Sequence, residues 1–157
     1  MLKPALMAIL FAALFTASPV SADSPILTVV DTVRDVETEV TLDDLKALPQ
    51  HRLVTSTSVT DGKPEFSGFL VRDLLAELGA KGDTVVAHAL NGYRMEIPTS
   101  DFEEFDVMGA LTMDGVPLSP RDKGPIWIVY PRDDHRKLQD IRYDTRWVWQ
   151  LESLHVQ

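Results

Sequence analysis

The chain has 157 residues, enough for one domain, and its 45 % apolar and 25 % charged residues with eight glycines and ten prolines exclude a disordered or fibrous protein. Fifteen basic against 24 acidic residues give a formal charge of −9, which argues against a nucleic-acid groove, because phosphate binding rests on clustered cations. There is no cysteine, so disulfides, thiolate catalysis and cysteine-ligated zinc, iron–sulfur or molybdenum centres are removed together.

Met1-Leu2-Lys3 is a short positive start, followed by the apolar run Leu6 to Leu14 and the small residues Val20 and Ala22. That pattern predicts a cleavable signal peptide over 1–22 and one exported, periplasmic domain over 23–157, with no membrane insertion after cleavage. Ile26 to Val30 is β-branched and reads as a strand. Thr41 to Pro49 reads as a short helix, with Thr41 as cap, Leu42, Leu45 and Leu48 on one face and Pro49 as the stop. Arg52 to Val59 alternates loosely with hydroxyl residues and is expected as a strand. The stripe Leu70, Val71, Leu74, Leu75 and Leu78 predicts a helix over Phe69 to Leu78, ended by Gly79.

Thr84 to Leu90 and Tyr93 to Ile97 flank Asn91-Gly92 and predict a hairpin. Ser100 is placed to cap a single turn that holds Phe102 and Phe105. Val107 to Met113 is a further strand closed by Asp114-Gly115, and Ile126 to Tyr130 is a nearly all-apolar one. Asp133 to Tyr143 is a charged surface segment or short helix, and Val148 to Val156 is expected as the last strand. About seven strands and a few short helices, out of strict alternation, predict an α+β fold with a mixed sheet.

No catalytic motif stands out. His51, His88, His135 and His155 form no metal-binding pair at short spacing, there is no Gly-x-Ser-x-Gly elbow, and no glycine-rich phosphate loop follows a strand. The acidic pairs Asp43-Asp44, Glu103-Glu104 and Asp133-Asp134 lie at caps and loops, where carboxylates are ordinarily solvated. The aromatic content is more telling. All three tryptophans lie between residues 127 and 149, with Tyr130, Tyr143, Arg142 and Arg146 among them. Rings beside cations can hold a planar ligand, and they can equally be core; both readings stand for Trp127, while Trp147 reads as core.

The order Leu42-x-x-Leu45-x-x-Leu48-Pro49, Val54-Thr55-Ser56-Thr57-Ser58, Phe66-x-Gly68, Met113-Asp114-Gly115-x-Pro117-Leu118 and Gly124-Pro125-x-Trp127-x-x-x-Pro131 resembles the molybdopterin-binding domain of the sulfite-oxidase family. The resemblance spans Leu42 to Val156 and implies a mixed α+β domain with the pterin cofactor in a cleft. Two departures bear on chemistry. The metal-ligating cysteine of the enzymes corresponds to the stretch Ser56 to Thr60, and hydroxyls replace a thiolate poorly at a soft metal. Trp127 stands where the enzymes carry an arginine, which favours a flat neutral ring over an anion.

Small exported, cysteine-free relatives of this domain look like pterin-binding proteins that dock on a membrane-bound cyclic-di-GMP synthase/phosphodiesterase or similar sensor. The resemblance therefore implies a non-catalytic periplasmic protein that binds a pterin non-covalently and without metal and relays ligand state to the periplasmic domain of such a partner. It assigns Trp127 to stacking and Ser56, Thr57 and Ser58 to the lining of the old metal cleft. Asn91 and Tyr93 join them from the hairpin, Arg121 and Lys123 from a closing loop, and Arg146 from the late segment. The alternative is a molybdopterin-dependent oxidoreductase that lacks the metal-ligating cysteine.

Overall fold

The computed structural model describes residues 24–157, so the signal peptide expected over 1–22 lies outside the described residues. The chain runs β1 (Leu27–Asp31), β2 (Val36–Val40), α1 (Leu42–Ala47), β3 (Gln50–Val54), β4 (Glu65–Leu70), α2 (Val71–Glu77), β5 (Thr84–Ala89) and β6 (Arg94–Pro98). It continues through α3 (Thr99–Glu104), β7 (Met108–Met113), β8 (Val116–Pro117), β9 (Trp127–Val129), a 3₁₀ turn at Arg136–Gln139, α4 (Ile141–Asp144) and β10 (Leu151–Val156). The fold is α+β, as expected, with ten strands among the described residues where the sequence predicts about seven.

Two sheets carry it. The first has the order β2-β1-β10-β5-β6 and is mixed, because β1 runs parallel to β10 while the other neighbours are antiparallel. The second, antiparallel throughout, has the order β3-β4-β7-β8, with β9 also paired to β7. Alternation along β5 sends Val85, Ala87 and Ala89 into the core, which continues through Leu27, Val29, Leu154 and Val156 of the same sheet and Phe66, Phe69 and Ala110 of the other. Gly68 of the Phe66-x-Gly68 motif lies at the β4–β7 crossing: a Cβ there would fall 2.1 Å from the Gly109 carbonyl oxygen.

Local signals explain most boundaries. Thr41 caps α1 through a full capping box, its hydroxyl accepting from the Asp44 amide at 3.2 Å and the Asp44 carboxylate accepting from the Thr41 amide at 2.9 Å. The predicted helix over Phe69 to Leu78 begins two residues late, because Phe69 and Leu70 complete β4 and pair with Gly109 and Met108 of β7. α3 carries no Ser100 cap; its N-cap is Pro98, with no side-chain cap bond.

The strand expected from Arg52 to Val59 ends at Val54, and its hydroxyl residues form a loop. The reason is competition from side chains. Thr55, fully buried, accepts from the Asp133 amide at 3.1 Å. Ser56 donates its amide and hydroxyl to the Asp133 carboxylate at 2.9 and 2.6 Å. Those bonds, with Lys63 at 3.0 Å, hold the Asp133 carboxyl down at about 2, the Ser56 hydroxyl being the largest cause. The hydroxyl loop is thereby tied to the chain beyond β9.

Candidate functional site

Three segments meet around a cleft of about 280 Å³: the hydroxyl loop gives Ser58 and Val59, the β5–β6 turn gives Asn91 and Tyr93, and the run after α4 gives Asp144, Thr145, Trp147 and Trp149. Its size is at the lower end of small-molecule sites, fit for one fused ring system. A larger groove of about 660 Å³ between α2 and α3 offers no comparable aromatic wall, since its one ring, Phe102, is buried.

The Asn91-Gly92 turn places the first wall. The Asn91 carboxamide oxygen accepts from the Tyr93 amide at 3.0 Å, and the Tyr93 hydroxyl donates to the Thr145 carbonyl at 2.7 Å, joining the hairpin to the end of α4. Partial burial raises the Tyr93 pKa above its ordinary value, so the phenol stays a neutral donor. The second wall is set by backbone bonds: the Ile128 amide donates to the Val148 carbonyl at 2.8 Å, and the Leu151 amide to the Ile126 carbonyl at 3.0 Å. Trp147 and Trp149, the neighbours of Val148, then lie over Trp127 with ring centroids 6.0 and 6.4 Å away, edge-on.

That arrangement corrects the assignment of Trp127. Its indole is 0 % exposed, packed edge-on against Phe66 at 5.3 Å, and no ring face is open to a ligand. It is the floor beneath the cleft tryptophans. Lys123, expected to close over a ligand, instead lies 5.7 Å from the Trp127 ring centroid and pairs with Asp122 at 2.9 Å. Arg121 is exposed in the same loop, away from the cleft, its amide donating to the Ser119 hydroxyl. Ser56 is consumed by Asp133, and Thr57 closes a local turn by bonding the Thr60 hydroxyl at 2.8 Å and accepting from the Val59 amide at 3.0 Å. Of the expected site residues, Ser58, Asn91 and Tyr93 are the ones brought together.

Arg146 points the other way. Its guanidinium donates to Asp101, itself 5 % exposed, and stacks on the Tyr143 ring 4.6 Å from the centroid. Asp101 also accepts from the Tyr130 hydroxyl at 2.9 Å, and burial, helped by the Asp101 charge, pushes the Tyr130 pKa up. Tyr130 in turn stacks on Trp147 at 6.4 Å. The buried Asp101–Arg146–Tyr130 group therefore holds the aromatic wall from behind. Spacing alone gives no sign that Trp149, Val59, Asp144 and Thr145 line a cleft, whereas Trp147 is core, as expected, and lines the cleft as well. The crowding of Trp147 and Trp149 was the visible signal.

Comparisons with known proteins agree with this architecture. Residues 17–133 match the family described as oxidoreductase molybdopterin binding domain. The chain belongs to that family. Among solved structures, the sulfane dehydrogenase SoxCD of Paracoccus pantotrophus shares the fold, with a TM-score of 0.61 and 19 % identity over 83 % of this chain. The aligned part is 37 % of that chain, so this protein spans well under half of its length. No curated protein matches.

Membership in the oxidoreductase molybdopterin-binding family bears out the resemblance and the α+β fold, and it overturns the expectation of a non-catalytic protein, since the family is one of oxidoreductase domains. The domain is of the molybdopterin-binding type. The residues here fit the organic part of such a cofactor: Tyr93, Trp147 and Trp149 wall an aromatic cleft, and Ser58 and Asn91 add polar groups to it. They do not fit a metal bound through the protein. The chain has no cysteine, and among the described residues no group of three or more His, Asp or Glu side chains could hold a metal ion.

Proposed function

We propose that this chain is a cofactor-holding domain of the molybdopterin oxidoreductase type, whose cleft between the hydroxyl loop, the Asn91–Tyr93 turn and Trp147–Trp149 takes the pterin part of the cofactor. The observation that carries this is the aromatic wall of the cleft, Tyr93, Trp147 and Trp149 around a space of about 280 Å³. A fused heteroaromatic ring fits such a wall by stacking, with Ser58 and Asn91 offering polar groups to its edge.

When bound, the cofactor supplies the redox chemistry. The chain's own residues bind and orient it. Tyr93 and Trp149 offer ring surface to the pterin plane, Tyr93 being 41 % exposed at the mouth. Asn91, whose oxygen is occupied by the Tyr93 amide, keeps its amide hydrogens to donate. Ser58 adds a hydroxyl from the loop that in the resemblance corresponds to the metal-ligating stretch. Without a thiolate, the pterin is held non-covalently and no protein–metal bond enters the reading.

Support for a periplasmic location is the charged start, apolar run and small residues of 1–22. Support for a membrane-bound signalling partner is the family resemblance. The test is a titration of the protein with a free pterin, read by tryptophan fluorescence. Trp149→Ala is expected to weaken binding about tenfold or more at unchanged fold, by the worth of one base-type stacking contact. Equal affinity in the variant would refute the cleft.

A further inference from the structure

Asp144, the last residue of α4, is the single carboxylate among the cleft residues. Its side chain is partly buried and ion-paired with Arg132, Nη1 to Oδ1 at 3.5 Å, a long contact for a hydrogen bond. Oδ2 has no hydrogen-bond partner among the described residues. The contrast with neighbouring carboxylates is sharp: Asp133 takes two bonds from Ser56 and a lysine at 3.0 Å, and Asp140 takes three from Arg142 at 2.9 Å. Asp144 lines the space walled by Tyr93, Trp147 and Trp149, and its carboxylate keeps acceptor capacity beyond the Arg132 contact.

Resting on the pterin-cleft reading, we propose that Asp144 is the residue that selects a 2-amino-4-oxo pteridine, accepting two parallel hydrogen bonds from its 2-amino group and the adjacent ring N–H. A carboxylate matches that donor–donor edge as it matches a guanidinium, two oxygens to two N–H groups in one plane. The geometry has a second consequence. A pteridine with a carbonyl at position 2 turns an oxygen lone pair toward Asp144 in the same pose, and the cleft rejects it. A site built around a specific hydrogen-bond pattern discriminates through the partner left unpaired, more strongly than an apolar pocket can. The α4 segment is held for this task. Asp140 caps it by accepting from the Arg142 amide at 2.9 Å, and Tyr93 clasps Thr145, the next residue after Asp144.

The experiment compares two named probes, pterin (2-amino-4-oxopteridine) and lumazine (2,4-dioxopteridine), titrated into the wild-type protein and into Asp144→Asn, with thermal melting run on both proteins. Wild type is expected to bind pterin about tenfold to a hundredfold more tightly than lumazine. Asp144→Asn, whose side chain offers one acceptor and one donor, is expected to lose about tenfold in pterin affinity and to abolish or reverse the preference, with the protein still folded and its melting temperature lowered only by the loss of the Arg132 ion pair. Wild-type protein that binds both probes equally overturns the role of Asp144 while leaving the cleft in place. Wild-type protein that binds neither overturns the cleft reading and the role of Asp144 with it. The wild-type comparison needs no variant, so a misfolded Asp144→Asn does not rescue the proposal.

Discussion

Trp127 is the residue at which a binding role and a packing role make opposite predictions. Its ring is completely buried, touches Phe66 at 5.3 Å edge-on, and supports Trp147 and Trp149 from beneath. Truncation to alanine removes the largest fully buried side chain of the core. Such a change costs about 3–5 kcal/mol, the lost transfer energy plus the cavity left behind. For a chain of this size that lowers the melting temperature by on the order of 10 °C. Trp127→Phe is milder, about 1–2 kcal/mol, because a ring still packs against Phe66 and an unpartnered buried N–H is removed. Calorimetric melting and pterin titration on the same Trp127→Phe preparation separate the roles. A clear drop in melting temperature with pterin affinity within about threefold of wild type follows from packing. An unchanged melting temperature with binding lost would refute the placement of Trp127 in the core.

Asp133→Asn should melt several degrees lower, since it gives up charge-assisted bonds from Ser56 and Lys63 worth about 2 kcal/mol in all. Asp133 also predicts acid behaviour: a carboxyl ordinarily near 3.8 and held at about 2 gives stability that is present above 3.8 and lost as pH falls toward 2. Melting curves across that window should flatten in the variant and stay steep in wild type. His88 is lowered from its ordinary 6.5 by burial and by the charge of His155, whose ring centroid is 4.4 Å away. Its contribution is therefore present above pH 6.5 and lost on acidification, so His88→Gln should weaken the pH dependence of melting just below that value. Asp101→Asn leaves the Arg146 guanidinium half-buried beside a neutral partner and should cost about 3 kcal/mol, seen as a fall in urea midpoint without a change in slope.

The parts of the fold that local chemistry decides were visible in the residues. Thr41 and Asp44 spell a capping box, Asn91-Gly92 forces a hairpin, and Asp114-Gly115 turns with both residues at positive φ, 51° and 77°. Where two periodicities overlap, local pattern failed. Phe69 and Leu70 continue the apolar stripe of α2, yet long-range pairing with β7 takes them into β4. The β2 run Val36-Glu37-Thr38-Glu39-Val40 alternates with period two, but its residues are mostly exposed and polar, which hides the strand in the sequence. Hydroxyl residues 55–58 look like strand in sequence, and only the distant Asp133 shows why they leave the ladder.

The site was legible to the same extent. Asn91 and Tyr93 follow from the hairpin, and the resemblance placed Ser58 near a cleft. Trp127 could not be told from its neighbours by spacing, because β9 is buried on both faces and gives no alternation to read. Arg146 looked like a cation for a ligand until the fold brought Asp101, 45 residues away in sequence, against it. Asp144 is one of several acidic residues in a charged segment, and tertiary structure alone brings it to the aromatic cleft.

The most direct measurement is the pterin content of the protein isolated from its native compartment, determined by denaturing extraction, oxidation to the fluorescent pterin and mass spectrometry, beside Trp149→Ala prepared in the same way. One pterin per wild-type chain, with most of it lost from the variant while the fold persists, is the predicted result. Wild-type protein free of pterin, or pterin retained equally by both proteins, would contradict the assignment of the cleft between Tyr93, Trp147 and Trp149 as the cofactor site.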